Sequence, residues 1–271
     1  MKDSKKYSGA QGGGEASGAE ASIRARAARI RQRMSYAGGA PGSAYIQIAI
    51  DGPAGAGKST VARMVAQKLG YLYIDTGAMY RAITLAVMRA KIAHDDSPAI
   101  ADLIKKCSLE IKQAPNGTNK IYLNGEDVTT EIRQQAVSNL VSDVANQLSV
   151  RKVLVDKQRE MSASGAVVLD GRDIGTIVLP DAQLKIYLTA SLAVRAQRRL
   201  LELEKMNQAT SLSELTNAIA RRDTKDANNT YGPMRPAQDA IMIDTDDLSI
   251  DEVVNKIVDL SRAKIVQGMP S

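Results

Sequence analysis

Residues 46–60 read I-Q-I-A-I-D-G-P-A-G-A-G-K-S-T, and no other stretch of the chain narrows its possible folds as much. An apolar strand runs into a glycine-rich turn and then a helix, with Gly52, Gly57, Lys58 and Ser59 filling the pattern G-x-x-x-x-G-K-[ST]. Glycines let the turn point its amide N–H groups inward, and the helix N-terminus adds its partial positive charge, so the loop becomes a cradle for polyphosphate oxygens. On this reading Gly52, Pro53, Ala54, Gly55, Ala56, Gly57, Lys58, Ser59 and Thr60 bind a nucleoside triphosphate. Lys58 reaches the β and γ phosphates as a point charge, and the Ser59 hydroxyl offers one ligand to Mg2+. A chance match in a chain of this length has a probability of roughly one in a hundred. The competing structural reading is a merely flexible glycine turn.

Composition limits the alternatives. The chain is 44% apolar, ample for a core, yet it has no Trp and no Phe, so nine tyrosines supply every aromatic ring. Stacking platforms for single-stranded nucleic acid need ring faces in series, and this composition argues against them. Cys107 is the only cysteine and His94 the only histidine, which excludes an internal disulfide and a zinc site of the usual ligands. Cys107 is read as a small buried residue on a helix face and His94 as an exposed loop residue. The net charge of +6 is concentrated in residues 1–44, where eight Lys and Arg face three Asp and Glu. The body is therefore close to neutral, and no nucleic-acid partner is expected. The tail, rich in Gly, Ala and Ser, is expected to be disordered, although Ile23, Ala27, Ile30 and Met34 could line a short basic helix over 22–35. No apolar run is long enough to cross a bilayer, so a cytoplasmic protein without a membrane partner is expected.

Downstream of the glycine turn, Gly70 stops the first helix, Y-L-Y-I-D (71–75) reads as a buried strand, and Thr76 as the cap of the next helix. A further helix covers about 97–107. The period then changes: Asn116-Gly117 and Asn124-Gly125 separate alternating segments, which predicts an antiparallel meander over 108–130. Helical periodicity returns over 131–161, with a break near 148–150. Strands follow at 166–173 and 184–188, 241–249 is the last strand and its exit, Ser191 caps a helix, and the closing helix covers 250–263. Strands alternating with helices give an α/β fold: five mostly parallel strands with helices on both faces, and ligands beyond the strands' carboxyl ends.

A phosphate-binding loop alone does not separate GTPases, motors and small-molecule kinases. The guanine-reading N-K-x-D is missing, since the run beginning Asn255-Lys256 lacks the aspartate. What the chain carries instead is a second set of charged motifs: D-T-G-A-M-Y-R (75–81), L-N-G-E-D-V-T-T-E-I-R (123–133), L-D-G-R-D-I-G-T-I-V (169–178) and R-R-D-T-K-D (221–226). In this order, over about 46–262, they resemble the bacterial-type cytidylate kinases of the nucleoside monophosphate kinase superfamily. The resemblance implies a kinase domain over 45–271, with a substrate-binding insert at about 76–162 that includes the meander, and a lid at about 191–236. It implies ATP as donor, CMP or dCMP as acceptor, Mg2+ as cofactor, and a monomer.

Carried over residue by residue, the resemblance makes Thr76, Arg81 and Arg172 the holders of the acceptor phosphate. It makes Ser142, Arg151 and Asp173 the readers of cytosine, and Arg222 and Asp226 the ribose contacts. Asp170 would orient Mg2+ beside Ser59, and Arg195 and Arg199 would approach the transferring phosphoryl group with Lys58. A carboxylate accepting from the exocyclic amino group is a physically sound reader of cytosine, because uracil presents a carbonyl oxygen at that place. One departure stands out: the family usually has an arginine where this chain has Asn229, and Arg235 is the nearby candidate to replace it. Arg198 and Glu202, by contrast, are spaced for an exposed helical ion pair. The alternatives are a kinase for another monophosphate, UMP or AMP, and a nucleotide-binding regulator that uses the basic tail.

Overall fold

The computed structural model describes residues 45–114, 117–163, 165–205 and 210–267. The tail 1–44 with its candidate helix, and Asn116 of the first Asn-Gly pair, lie outside the described residues. The main sheet is parallel throughout and contains β1 (Gln47–Asp51), β2 (Leu72–Asp75), β6 (Val167–Asp170), β7 (Leu184–Thr189) and β8 (Ile241–Asp244), in the spatial order β2-β6-β1-β7-β8. These are the five strands expected from sequence. In β1, β2, β6 and β7 nearly every residue is buried, so both faces are covered and these strands read as continuous apolar runs, whereas the edge strand β8 buries only Ile243. Along β1, Ile48 and Ile50 join one core cluster and Ala49 the other. The same alternation places Leu72 and Ile74 opposite Tyr73, and Val167 and Leu169 opposite Val168.

One face is covered by α1 (Lys58–Leu69) and α8 (Ile250–Gln267), which contribute Val61, Val65, Val254 and Ile257. The other is covered by α2 (Thr76–Arg89), α3 (Ser97–Lys106), α4 (Gln135–Ala145) and α5 (Leu148–Ser162), with Met79, Ile83, Ile100, Val141 and Leu154 in its core. Beside them β3 (Leu109–Gln113), β4 (Asn119–Leu123) and β5 (Glu126–Asp127) form the antiparallel meander. Its second turn has Asn124 at φ 51° and Gly125 at φ 84°, the left-handed pair that an Asn-Gly hairpin requires. Helices α6 (Leu192–Lys205) and α7 (Leu212–Ala227) pack on each other beyond the sheet's carboxyl edge.

Several local expectations are corrected. The cap of α2 is Asp75, whose Oδ1 accepts from the Ala78 N–H at 2.8 Å, while Thr76 is already the first helical residue. The break between α4 and α5 falls at Asn146 and Gln147, before Leu148 rather than after it. Cys107 ends α3 and is only half-buried. Residues Ile174–Val178 form one wide turn of π-helix, which nothing in their sequence announces.

The strand order places the site. β1 lies between β6 and β7, and the chain leaves it toward β2 but later reaches β7 on its other side. Ligands in open α/β sheets bind at such reversal points. Register then lines up carboxylates along the edge, because Asp170 pairs with Asp75 on one side and with Ile50, the neighbour of Asp51, on the other.

Candidate active site

The glycine turn after β1 has Gly52, Gly55 and Gly57 at φ of 144°, 81° and 86°, conformations that side chains rarely adopt. Gly52 is also sterically obligatory, since a Cβ there would lie 2.1 Å from the Leu188 carbonyl oxygen of β7. The buried Lys58 curls back so that Nζ donates to the Pro53 carbonyl at 2.6 Å. Burial, then the nearby Arg172, holds its ammonium well below the usual lysine range. A bound polyphosphate would reverse that, since an adjacent anion favours the charged form.

Asp170 is the hub behind the loop. Its Oδ2 accepts from the Ser59 hydroxyl at 2.7 Å, its Oδ1 from the Tyr73 hydroxyl at 2.9 Å, and its carbonyl from the Thr76 hydroxyl at 2.6 Å. Burial and the neighbouring Asp75 push the Asp170 carboxyl up to about 6, against the Ser59 bond and Lys58. Ser59 and Asp170 together present hard oxygen donors beside the cradle, the donor chemistry that Mg2+ takes.

Across the cleft the residues that the resemblance assigns to the acceptor form a connected network. Asp226, on the last turn of α7, accepts from Ser142 Oγ at 2.7 Å and from Arg172 Nε at 2.9 Å, and Arg222 lies 3.8 Å away. Burial would raise the Asp226 carboxyl, but Arg172 and Arg222 outweigh it and hold it below the ordinary value. Arg151 and Asp173 form a buried ion pair through Nη2 and Oδ2. Gly232 packs directly on that pair, leaving no room for a side chain. Arg81 reaches Asp75 at 3.5 Å. The Nε groups of Arg81 and Arg222 are buried without a hydrogen-bond acceptor, so each has a donor still to be satisfied. Burial, Arg172 and Arg81 between them depress the Arg222 guanidinium to about 10. Lys58, Arg81, Arg172 and Arg222 thus crowd one another, and such a cluster favours an anion at its centre.

Helices α6 and α7 meet the glycine turn from above. Arg195 donates to the Ala54 carbonyl at 3.1 Å and to Asp223 at 2.5 Å, and Asp223 in turn accepts from the Ala54 N–H at 3.3 Å. Lys225 bridges to Asp143 of α4 at 2.8 Å, joining α7 to the helix that carries Ser142. Arg199 is not brought to the loop; it pairs with Glu202 at 3.0 Å. Arg198, expected to be Glu202's partner, instead donates to the Thr245 carbonyl at 2.6 Å and to the Thr245 hydroxyl at 3.0 Å. Arg235 is exposed. Asn229 accepts from the Tyr231 and Gly232 N–H groups at 3.0 Å each, bracing the turn that lays Gly232 on the Arg151–Asp173 pair.

Two participants escaped sequence reasoning. Asp223 lies inside the quoted R-R-D-T-K-D run, but nothing local reveals its bond to a loop amide. Asp51 immediately precedes the glycine motif, and its partners, the amides of Ile174 and Gly175, are distant in sequence.

The model of the family described as cytidylate kinase matches residues 48–263. A cytidylate kinase from Geobacillus sp. (strain WCH70) is 49% identical over 220 residues, which cover 81% of this chain and 98% of that one. Another, from Symbiobacterium thermophilum, is 49% identical over 217 residues, covering 80% and 96%. Among solved structures, a shikimate kinase from Acinetobacter baumannii aligns with a TM-score of 0.40 and 16% identity over 82% of this chain and 95% of that one, too slight a likeness to bear on function.

Proposed function

The chain belongs to the cytidylate kinase family, and from that membership and the cleft's geometry we propose that it transfers the γ-phosphoryl group of ATP to CMP or dCMP, yielding ADP and CDP or dCDP. The observation that carries this reading is the convergence of Lys58, Arg81, Arg172 and Arg222 on one cleft, with buried guanidinium N–H groups left for an anion. One polyphosphate in the glycine cradle and a second phosphate among the arginines would meet across it.

In this mechanism the protein supplies alignment and charge rather than a nucleophile. Backbone amides of 54–60 and Lys58 take the donor's β and γ phosphates. Thr76, Arg81 and Arg172 hold the acceptor phosphate, the guanidinium groups as planar forks matched to its oxygens. Arg222 and Asp226 take the ribose, and Ser142, Arg151 and Asp173 the base. Arg195 descends from the lid, 191–236, onto the transferring group as the cleft excludes water. Ser59 would hold Mg2+ directly and Asp170 would orient it through water. When bound, the ion neutralises charge on the phosphate oxygens. We place the enzyme in the cytoplasm as a monomer, with the substrate insert over 76–162. Among the described residues no helix is long and apolar enough to cross a membrane.

An ADP-release assay with CMP, dCMP, UMP and AMP as acceptors tests the proposal. The expected result is a kcat/KM highest for CMP or dCMP. A preference for AMP or UMP would replace this reading with the kinase for that acceptor, and ADP release independent of any acceptor would remove it.

A further inference from the structure

Asp51 closes β1 immediately before the glycine turn and is 3% exposed. Position in sequence would assign it to the donor side. Its side-chain bonds go elsewhere: Oδ1 accepts from the Ile174 N–H and Oδ2 from the Gly175 N–H, each at 2.8 Å. Those amides open the π turn, whose first N–H groups have no partner within the turn itself and must find one outside. Just ahead of the turn stand Arg172 and Asp173, one bonded to Asp226 and the other to Arg151. The turn's later amides, those of Ile177 and Val178, donate back to the Asp173 carbonyl, so Asp173 and the turn move as a unit.

The glycine turn, in contrast, has tethers of its own: the Ala56 N–H and Lys58 Nζ both bond the Pro53 carbonyl, and the Ala54 N–H bonds Asp223. Losing the Asp51 carboxylate would leave two buried amides without acceptors, and the turn would have to shift to satisfy them. We infer that Asp51 is a positioning residue for the acceptor: it fixes Arg172 and Asp173 against the central strand, so its removal damages CMP binding although it adjoins the ATP loop. The inference rests on the proposed CMP kinase activity.

The test compares wild type with Asp51→Asn, which keeps the shape but offers only one acceptor oxygen, and with Gly175→Ala. At Gly175 a Cβ would come within 3.2 Å of Lys185 Cδ and 3.4 Å of Asp51 Oδ2, pressing on the same link from the other side. KM for ATP and for CMP, kcat, and CMP binding by calorimetry without ATP are measured on folded protein, with folding checked by thermal unfolding. In Asp51→Asn, KM and Kd for CMP are expected to rise about tenfold while KM for ATP stays within about twofold. Gly175→Ala is expected to show the same split to a smaller degree. An ATP effect as large as the CMP effect, a fall in kcat alone, or no change would overturn the inference. If Asp51→Asn does not fold, Gly175→Ala decides by the same criteria. A wild-type enzyme that neither binds nor phosphorylates CMP would defeat the functional proposal instead, and the two failures are thereby told apart.

Discussion

The proposed donor cradle is made mostly of backbone from one continuous run, 52–60, whereas the proposed acceptor grip is made of side chains from α2, α4, α5, the segment after β6, and α7. The difference has physical consequences. Amide N–H groups in a glycine turn keep their direction whether or not a ligand is present, although here the Ala54 N–H meets the Asp223 carboxylate. Arginines and carboxylates brought together under partial burial must satisfy one another, and here they do, through Arg172–Asp226 and Arg151–Asp173. On the donor side the backbone turn is already shaped, and the bonds to be exchanged are those of Lys58 Nζ to the Pro53 carbonyl and of the Ala54 N–H to Asp223. On the acceptor side, the incoming nucleotide must exchange bonds with pairs that already exist.

The sharpest way to break that contrast is Lys58→Met, because Lys58 is the one charged side chain of the cradle. A kcat loss of roughly 10²–10³-fold is expected, of the size seen when a donor to transition-state charge is removed, with KM for CMP little changed. Burying a methionine avoids the cost of a buried ammonium, so the variant should unfold at an equal or higher temperature than wild type. Steady-state kinetics and thermal unfolding on one preparation check both halves.

A second prediction concerns the carboxylate that ties the two sides together. Burial pushes the Asp51 carboxyl up to about 7, although the amides of Gly175 and Ile174 oppose the rise. In the unfolded chain it titrates near ~3.9, so between about pH 4 and pH 7 the native state holds a proton that the unfolded state has lost. Asp51 therefore contributes stability that is greatest below pH 4 and declines as pH rises to 7. Urea unfolding at pH 5 and pH 7.5 should show wild type losing stability relative to Asp51→Asn, by an amount on the order of a few kcal/mol. Parallel pH profiles for the two proteins would mean that the carboxyl keeps an ordinary pKa.

The same contrast explains what was legible in the sequence. The cradle could be read from its own residues because its parts are adjacent, and the hairpin at Asn124-Gly125 because one dipeptide sets two dihedral angles. The strands were visible as apolar runs. Of the acceptor grip, composition and periodicity revealed nothing, and only the resemblance to a family pointed to Ser142 and Arg151, which lie outside every quoted motif. Asp51 was hidden because a carboxylate shows no sign of which amides it will meet after the chain has crossed the sheet. The π turn over I-G-T-I-V has no local marker either. The cap of α2 was misplaced by one residue because Asp75 and Thr76 are both good capping types, and tertiary packing chose between them.

Asp173→Asn sharpens the acceptor half. The amide keeps the shape of the carboxylate and leaves Arg151 an oxygen to donate to, but it turns one acceptor into a donor. Cytosine's amino group then meets an N–H, while uracil's carbonyl finds a partner. The preference for CMP over UMP in kcat/KM should fall by about 1–3 kcal/mol, the usual discrimination of a good base contact. Equal losses for both acceptors would remove Asp173 from base reading.

The smallest effect is expected one helical turn along α6 from a residue expected to matter greatly. Arg195 is buried against Ala54 and Asp223, so its guanidinium already touches the cradle. Arg199 pairs with Glu202 on the same helix, its side chain 28% exposed and that of Glu202 61% exposed. Water and salt screen such a pair, and exposed ion pairs contribute about 0–1 kcal/mol. Arg199→Ala should accordingly leave stability nearly unchanged and kcat within about twofold of wild type, whereas Arg195→Ala should lower kcat by roughly two orders of magnitude, as for other groups that meet transition-state charge. Measured together, the variants ask whether the proposed lid delivers one arginine or two. A tenfold or greater kcat loss in Arg199→Ala would mean that Arg199 leaves Glu202 for the phosphates when the lid closes, and that the grip seen here is only part of the one that operates during transfer.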